Sequence, residues 1–330
     1  MDLPTVSTIK SGIKKFYSFR FAPVLTVSIA ITLLFFAITP EHAMLSSDII
    51  KMILRIAPEL GLIAVGITVL MICQEFDLSV GSVLAFSSMV MVWSYTELNL
   101  NPVLGMLITL IAGCLIGLLN GIITVKFRIP SFITTLGMMM FWRGIVLAIS
   151  GGHPMAFHPE ETSPAFKSML TGEIGGIPMQ FIWFLVIVVV FALLLEHHRF
   201  GNRVRATGGN KEAARAMGVN TDRIKIICFM IVGLLVAFAG VIQATRIIGS
   251  NALQGEGLEL EAIAATVIGG TLLLGGVGTV LGTFIGIMLL MILNAGLILM
   301  RAPASWFQAF VGLLIVIAVI FNIILERRRK

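Results

Sequence analysis

Ten apolar stretches alternate with short polar breaks along the chain: 22–39, 52–73, 78–95, 103–125, 130–149, 181–195, 224–245, 260–274, 279–299 and 305–325. A helix needs ~17–25 residues to cross a bilayer; the shorter stretches read as broken or tilted. The second is expected to be interrupted at Pro58-Glu59. The breaks are an acidic turn at 40–48, the string Gln74-Glu75-Phe76-Asp77, a basic turn holding Lys126 and Arg128, and a mixed-charge loop at 151–178. They continue with a strongly basic loop at 200–223 and a polar turn at 249–259. The pattern predicts an all-α polytopic membrane protein of about ten transmembrane helices. It forms one transmembrane unit over 1–330, with a polar segment at 1–20, a loop at 196–223 and a basic tail at 326–330. No small-residue cleavage site follows 22–39, so the first span is expected to be retained.

Composition agrees. Apolar residues make up 58% and charged residues 12% of the chain, and mean hydropathy is +1.02. Soluble domains run at ~45–50% apolar and ~25% charged. Of 23 Lys and Arg, all but Lys51, Arg55, Arg143, Lys167, Arg246 and Arg301 fall in alternate breaks or at the ends. That bias predicts both termini and the 196–223 loop on the cytoplasmic side. Cys73, Cys114 and Cys228 lie in apolar stretches without metal spacing and read as packing residues. His153 and His158 have no metal pattern either, so no metal site is expected.

The loop from 200 to 223 holds a short capped helix in its sequence. Asn210 suits the N-cap, Glu212 the first turn and Gly218 the left-handed position that ends a helix. Lys211 and Arg215 lie one turn apart; Ala213, Ala214, Ala216 and Met217 offer a small, smooth surface. Two turns are far below the ~12–15 residues at which isolated helices become marginal, so the helix should persist only when docked. Helix-in-groove recognition is one reading; a solvated basic loop is the other.

Glycines recur at intervals of four in two spans, Gly113, Gly117 and Gly121, then Gly278, Gly282 and Gly286. Small residues at that spacing let helices approach closely in lipid. Spans two to five and seven to ten run in opposite senses and could form an inverted repeat; chance recurrence in a chain with 33 Gly is the alternative.

Three strings carry a resemblance. Glu212-Ala213-Ala214 followed by Gly218 resembles the EAA loop of ABC importer permeases. Asp77-Leu78-Ser79-Val80-Gly81-Ser82 is similar to the D-L-S-x-G-S segment of their ribose/xylose/arabinose branch, although Gln74-Glu75-Phe76 departs from the Gly-Gly-Ile common before it. The segment from Glu259 through Gly269-Gly270-Thr271 to Gly275-Gly276-Val277-Gly278-Thr279 is similar again. The resemblance covers roughly 50–325. It implies a permease subunit of a monosaccharide importer with the vitamin-importer-like (type II) fold, in the bacterial cytoplasmic (inner) membrane. It further implies an ATPase subunit docking on Asn210, Lys211, Glu212, Ala213, Ala214, Arg215 and Gly218, and a periplasmic or lipid-anchored binding protein. A second permease copy, identical or paralogous, would complete the pore. ATP and Mg would sit on the ATPase; this chain is expected to bind no cofactor and no nucleic acid. Consistently, no Gly-x4-Gly-Lys-Ser/Thr phosphate loop occurs.

Charges within spans cost ~2.5–3.5 kcal/mol each at a helix centre. Glu59, Trp142 and Arg143, with Asp77, Ser79 and Asn294, are candidate translocation-path residues. Helix capping at Asp77 and Ser79, a local Arg55–Glu59 pair or snorkelling are the structural alternatives; for Asn294, Asn120 and Gln243 the alternative is helix–helix hydrogen bonding. Lys167, Arg246 and Arg301 are expected at the outer rim, where a binding protein would dock. An ion-coupled secondary transporter and an ABC permease for amino acids or nucleosides are the other functional readings.

Overall fold

The computed structural model describes residues 22–159 and 163–327. The basic residues expected at 1–20, and the last three of the tail, lie outside the described residues. Thirteen α-helices are present among those described: α1 (Ala22–Ile38), α2 (Ser47–Ile72), α3 (Val80–Thr96), α4 (Pro102–Lys126), α5 (Ser131–Ser150), α6 (Pro164–Thr171), α7 (Met179–His197), α8 (Arg199–Gly209), α9 (Lys211–Ala216), α10 (Thr221–Ile247), α11 (Leu258–Ile268), α12 (Val280–Leu299) and α13 (Ala304–Arg327). Six are long and apolar enough to cross a membrane, namely α2, α4, α5, α7, α10 and α12. Shorter apolar helices occupy Val24–Ile38, Val80–Thr96 and Ser305–Ile320.

Each predicted span coincides with a helix, with two corrections. The second is unbroken: α2 runs straight through Pro58, because a proline in a bundle leaves one amide hydrogen bond unmade without ending a helix whose neighbours hold it. The eighth is helical only to Ile268; residues 269–279 form a glycine-rich connection. At 1.5 Å per residue an eleven-residue helix reaches ~16 Å, about half a hydrocarbon core.

Polar side chains set the helix starts. Ser46, Asn101, Asn210, Asn220 and Thr279 each accept a hydrogen bond from a backbone amide in the first turn of the helix they precede. The core centres on α2, where Leu62, Ile63, Ala64, Val65 and Ile67 are wholly buried. Its neighbours are α7, α10, α11 and α12. Packing partners recur in two sets: α4 lies against α3 and α10, and α12 lies against α11 and α2; α3 lies against α5, and α11 against α13.

Both glycine ladders sit at these contacts. A methyl group on Gly117 would stand 2.2 Å from the Phe229 carbonyl oxygen of α10, and one on Gly286 would stand 2.1 Å from that of Ala265 in α11. In lipid, where hydrophobic exclusion cannot drive helix association, such backbone approach is what packing gains. Between the last turns of α2 and the first turn of α12, the Thr68 and Thr283 hydroxyls meet at 2.6 Å and tie the two helices.

The 151–178 loop is structured. Its β1 (Met155–Ala156) pairs antiparallel with β4 (Gly249–Ser250), and β2 (Glu173–Ile174) pairs with β3 (Ile177–Pro178). Phe157, Phe166 and Leu170 close over Met91, Val92, Val241 and Ala244. This cap sits at one end of the bundle. The ends of α4 and α7, together with α8, α9 and the start of α10, form the other, basic end.

Candidate functional site

The basic loop is two helices around a bend. α8 occupies what the sequence pattern reads as open loop; the His198 imidazole caps it by accepting from the Phe200 amide at 3.1 Å. Asn210 breaks the helix with an extended backbone and caps α9, its Oδ1 accepting from Ala213 N at 2.9 Å. Gly218 follows with φ +80°. The expected caps are therefore present at both ends of α9.

Its faces are not distributed as the sequence suggests. Ala214 is 5% exposed and turned into the chain's own fold. Lys211 and Arg215 reach back to Asp222 in the first turn of α10, at 3.7 and 2.7 Å, and Arg215 Nε donates to the Thr221 hydroxyl at 2.9 Å. They fix the angle between α9 and α10. The outward face is Glu212, Ala213, Ala216 and Met217, the last 84% exposed. Asp222 was missed by sequence reasoning, although its position seven residues after Arg215, in a capped first turn, is a usable signal.

Behind α9 the backbone is joined tightly to the bundle. Gly276 N donates to the Ile72 carbonyl at 2.8 Å, and a methyl group on Gly208 would fall 1.7 Å from the same oxygen. Lys225 and Glu75 form an ion pair in which both side chains are largely buried. The Cys73 and Cys228 sulfurs lie 3.5 Å apart as free thiols. The ends of α2, α8 and α10 and the 269–279 connection thus meet at one point.

Asp77 and Ser79 lie deep in the bundle, 2% and 0% exposed. Ser79 donates to Asp77 Oδ1 from its amide at 2.8 Å and from its hydroxyl at 2.5 Å. Asn120 Nδ2 donates to Asp77 Oδ2 at 3.2 Å and to Ser79 Oγ at 2.9 Å. Ser79 holds the N-cap position of α3 without a side-chain cap bond. Ser131 and Thr135 of α5 accept from Phe76 N and Leu78 N. These bonds stabilise the irregular stretch between α2 and α3.

Glu59, Trp142 and Arg143 are not one cluster. Arg143 donates to the carbonyls of Ala252 and Gln254, at 2.8 Å for the latter, and pins the α10–α11 connection against the bundle. Trp142 packs on Phe86 with ring centroids 4.6 Å apart. Glu59 is 4% exposed and accepts from Arg246 at 2.5 and 3.1 Å and from Gln243 at 2.8 Å. Arg246 is therefore tied to Glu59 rather than displayed on the rim. Arg55 pairs with Glu173 at 2.5 Å instead of with Glu59, and holds that exposed carboxyl below the usual carboxylate range. Lys167 lies on α6 in the cap, and Arg301 is exposed just beyond α12 with φ +55°.

Glu59, Gln243, Arg246 and Asn294 do converge. With Glu261 and Phe307 they line a cavity of about 460 Å³ among α2, α10, α11, α12 and the start of α13, at the end opposite α9. Among the described residues no cluster of three or more His, Cys, Asp or Glu could hold a metal.

A six-residue helix thus projects from a basic, glycine-tied junction at one end of the helical bundle. Residues 49–319 match the family described as branched-chain amino acid transport system / permease component. The chain belongs to that family. It is a multi-pass membrane transport subunit of the ABC importer type and not an enzyme. Relatives include the autoinducer 2 import system permease protein of Photorhabdus luminescens, 34% identical over 90% of this chain and 89% of the relative. The ribose import permease protein of Escherichia coli K12 is 36% identical over 78% of this chain and 79% of its own. The xylose/arabinose import permease protein of Sulfolobus acidocaldarius is 35% identical over 91% and 84%. No solved structure matches the chain.

Proposed function

We propose that this chain is the permease subunit of an importer for a monosaccharide or a closely related small polar solute, driven by a separate ATPase. The observation that carries the reading is α9, a capped six-residue helix with a small outward face, in a family whose relatives are named as import permeases for ribose, xylose/arabinose and autoinducer 2. The ATPase takes that face into a groove and works on the bundle through α8 and the junction at Ile72. ATP and Mg stay on the ATPase. A periplasmic or lipid-anchored protein delivers solute to the opposite end, near Lys167 and Arg301, and a second copy or a paralogue completes the pore.

Nine apolar helices and the half-length α11 support a reading with both termini and α9 on the cytoplasmic side of the inner membrane, in keeping with the basic residues there. The paired packing of α2–α5 and α10–α13 supports an inverted repeat. Glu59 and Asn294 stand on the solute path; Asp77, Ser79, Trp142 and Arg143 hold its walls.

The family description also names branched-chain amino acids, so the test offers both solutes. The chain is reconstituted with its ATPase and binding protein in liposomes, and uptake of labelled pentoses and of leucine is followed with and without ATP. Pentose uptake that needs ATP and all three proteins is expected. ATP-dependent leucine uptake without pentose uptake moves the chain to the amino acid branch. Uptake driven by an ion gradient without the ATPase overturns the proposal.

A further inference from the structure

The cavity around Glu59 has a chemistry that narrows what passes through it. We propose that it is a transit site for one uncharged, polyhydroxylated ring, entered from the end opposite α9. The inference rests on the importer reading above and adds a place and a selectivity to it.

Arg246, the one Lys or Arg among the described residues of the wall, spends its guanidinium fork on Glu59. Glu59 is further saturated by Gln243 Nε2. Among the described residues the lining therefore offers no free cation to a phosphate or a carboxylate. An anionic sugar or an amino acid carboxylate entering here would lose its water without a countercharge, and burial of an unpaired charge is among the costliest events in a protein.

Hydrogen-bonding capacity does remain. Gln243 Oε1 is buried and has no donor. The Asn294 amide and the Glu261 carboxyl face the same space and make no side-chain hydrogen bond among the described residues. Together they present mostly acceptors, with one amide donor pair, which is the complement of a solute rich in hydroxyl donors. Phe307, Leu60 and Met291 supply an apolar wall for the C–H face of a ring. The volume falls within the ~300–1,000 Å³ of small-molecule pockets.

A transporter should hold its cargo weakly, and to an uncharged solute this wall offers a few hydrogen bonds and no ion pair. In a bilayer, unspent polar groups on interior helices are expensive and mark a path for polar solutes. Both Gln243 and Asn294 sit on helices that also contact the α2 core, α10 and α12, so their spacing depends on how those helices lie against one another.

The test uses the full complex in liposomes with the pentose that the wild type imports. Asn294→Leu removes the amide, and Ala302→Trp fills the cavity from its wall. Each is expected to lower the maximal uptake rate by about tenfold or more, while ATP hydrolysis stimulated by the loaded binding protein persists; Asn294→Gln should restore most of the uptake. In a separate arm, Asn294→Cys is treated with a membrane-impermeant maleimide. Reaction slowed by the imported pentose, and not by its phosphate ester, is expected. Unchanged uptake in both Asn294→Leu and Ala302→Trp overturns the site, as does a cysteine at 294 that never reacts. A wild-type complex that imports no sugar removes the importer reading itself, and that failure is visible before any variant is made.

Discussion

At the scale of single residues, partners decide roles that residue type alone leaves open. Arg246 and Glu59 are far apart in the chain and each is ambiguous by itself, a rim cation or an embedded acid. The fork between them gives each a partner at one stroke. Removing one member of a buried pair leaves the other uncompensated, at ~3–5 kcal/mol when burial is complete. Arg246 keeps 28% of its side chain exposed, so screening reduces the effect. Arg246→Ala should destabilise the purified protein by about 1–3 kcal/mol, seen as a lower midpoint in thermal unfolding in detergent. Glu59→Gln keeps the shape and one acceptor oxygen but turns an amide donor toward donors of Arg246 or Gln243; it should cost less stability than Arg246→Ala while altering uptake rate. Equal midpoints for Arg246→Ala and wild type would mean that the pair contributes nothing to the fold.

Glycines give a sharper pair of predictions. Gly208 and Gly209 are neighbours, yet only Gly208 touches the Ile72 carbonyl oxygen; a methyl group on Gly209 meets nothing within 4 Å. Gly208→Ala should push α8 off the end of α2, with loss of uptake and of thermal stability. Gly209→Ala should stay within about 0.5 kcal/mol of wild type, as for surface positions. Both are read in one thermal series with uptake measured alongside. A silent Gly208→Ala would contradict the tight junction.

At the scale of elements, the sequence made the apolar helices visible because lipid demands continuous hydrophobicity and internal hydrogen bonding, whatever the tertiary partners. The caps at Asn210 and Gly218 were visible for a similar reason: they depend on local backbone chemistry. What stayed hidden is tertiary. α8 read as a loop because its glycines and charges lower helix propensity, and its helix is held by α7, α10 and α2. The inward turn of Ala214 follows from the Asp222 anchor, which one helix's pattern cannot show. The Glu59 cavity required five helices to be placed before Gln243, Glu261 and Phe307 became neighbours.

The inward turn of Ala214 changes what a bulky substitution means. Ala214→Trp would break the seat of α9 on its own chain, with overpacking costs of ~1–3 kcal/mol, whereas Ala216→Trp presents the ring outward. The first should lower stability as well as partner binding; the second should lower partner binding alone. Limited proteolysis of the isolated chain separates them: faster cleavage near α9 is expected only for Ala214→Trp.

At the scale of the whole molecule, force applied at α9 has a short route into the bundle. It passes through the Lys211 and Arg215 contacts to α10, through Gly208 to the end of α2, and through Gly276 to the half-length α11 and α12. The cavity at the opposite end is lined by those same four helices, with α13 closing one side. A rotation of α2 or α10 at the basic end therefore changes the spacing of Glu59, Gln243 and Asn294 at the other. That arrangement suits a subunit without an energy source of its own.

The most direct measurement is co-purification of the ATPase with variants of the outward α9 face, followed by ATP-driven uptake from the same preparations. Ala216→Trp and Gly218→Val both leave the bundle untouched. The first places a ring on the docking face, and the second puts a β-branched residue where φ is +80°, so that α9 ends at the wrong angle. Both are expected to insert, to run as wild type on size exclusion, and to lose ATPase by about tenfold or more, the change that ~1.4 kcal/mol of lost contact produces. Full ATPase recovery and normal uptake with both substitutions would contradict α9 as the element through which this permease is driven.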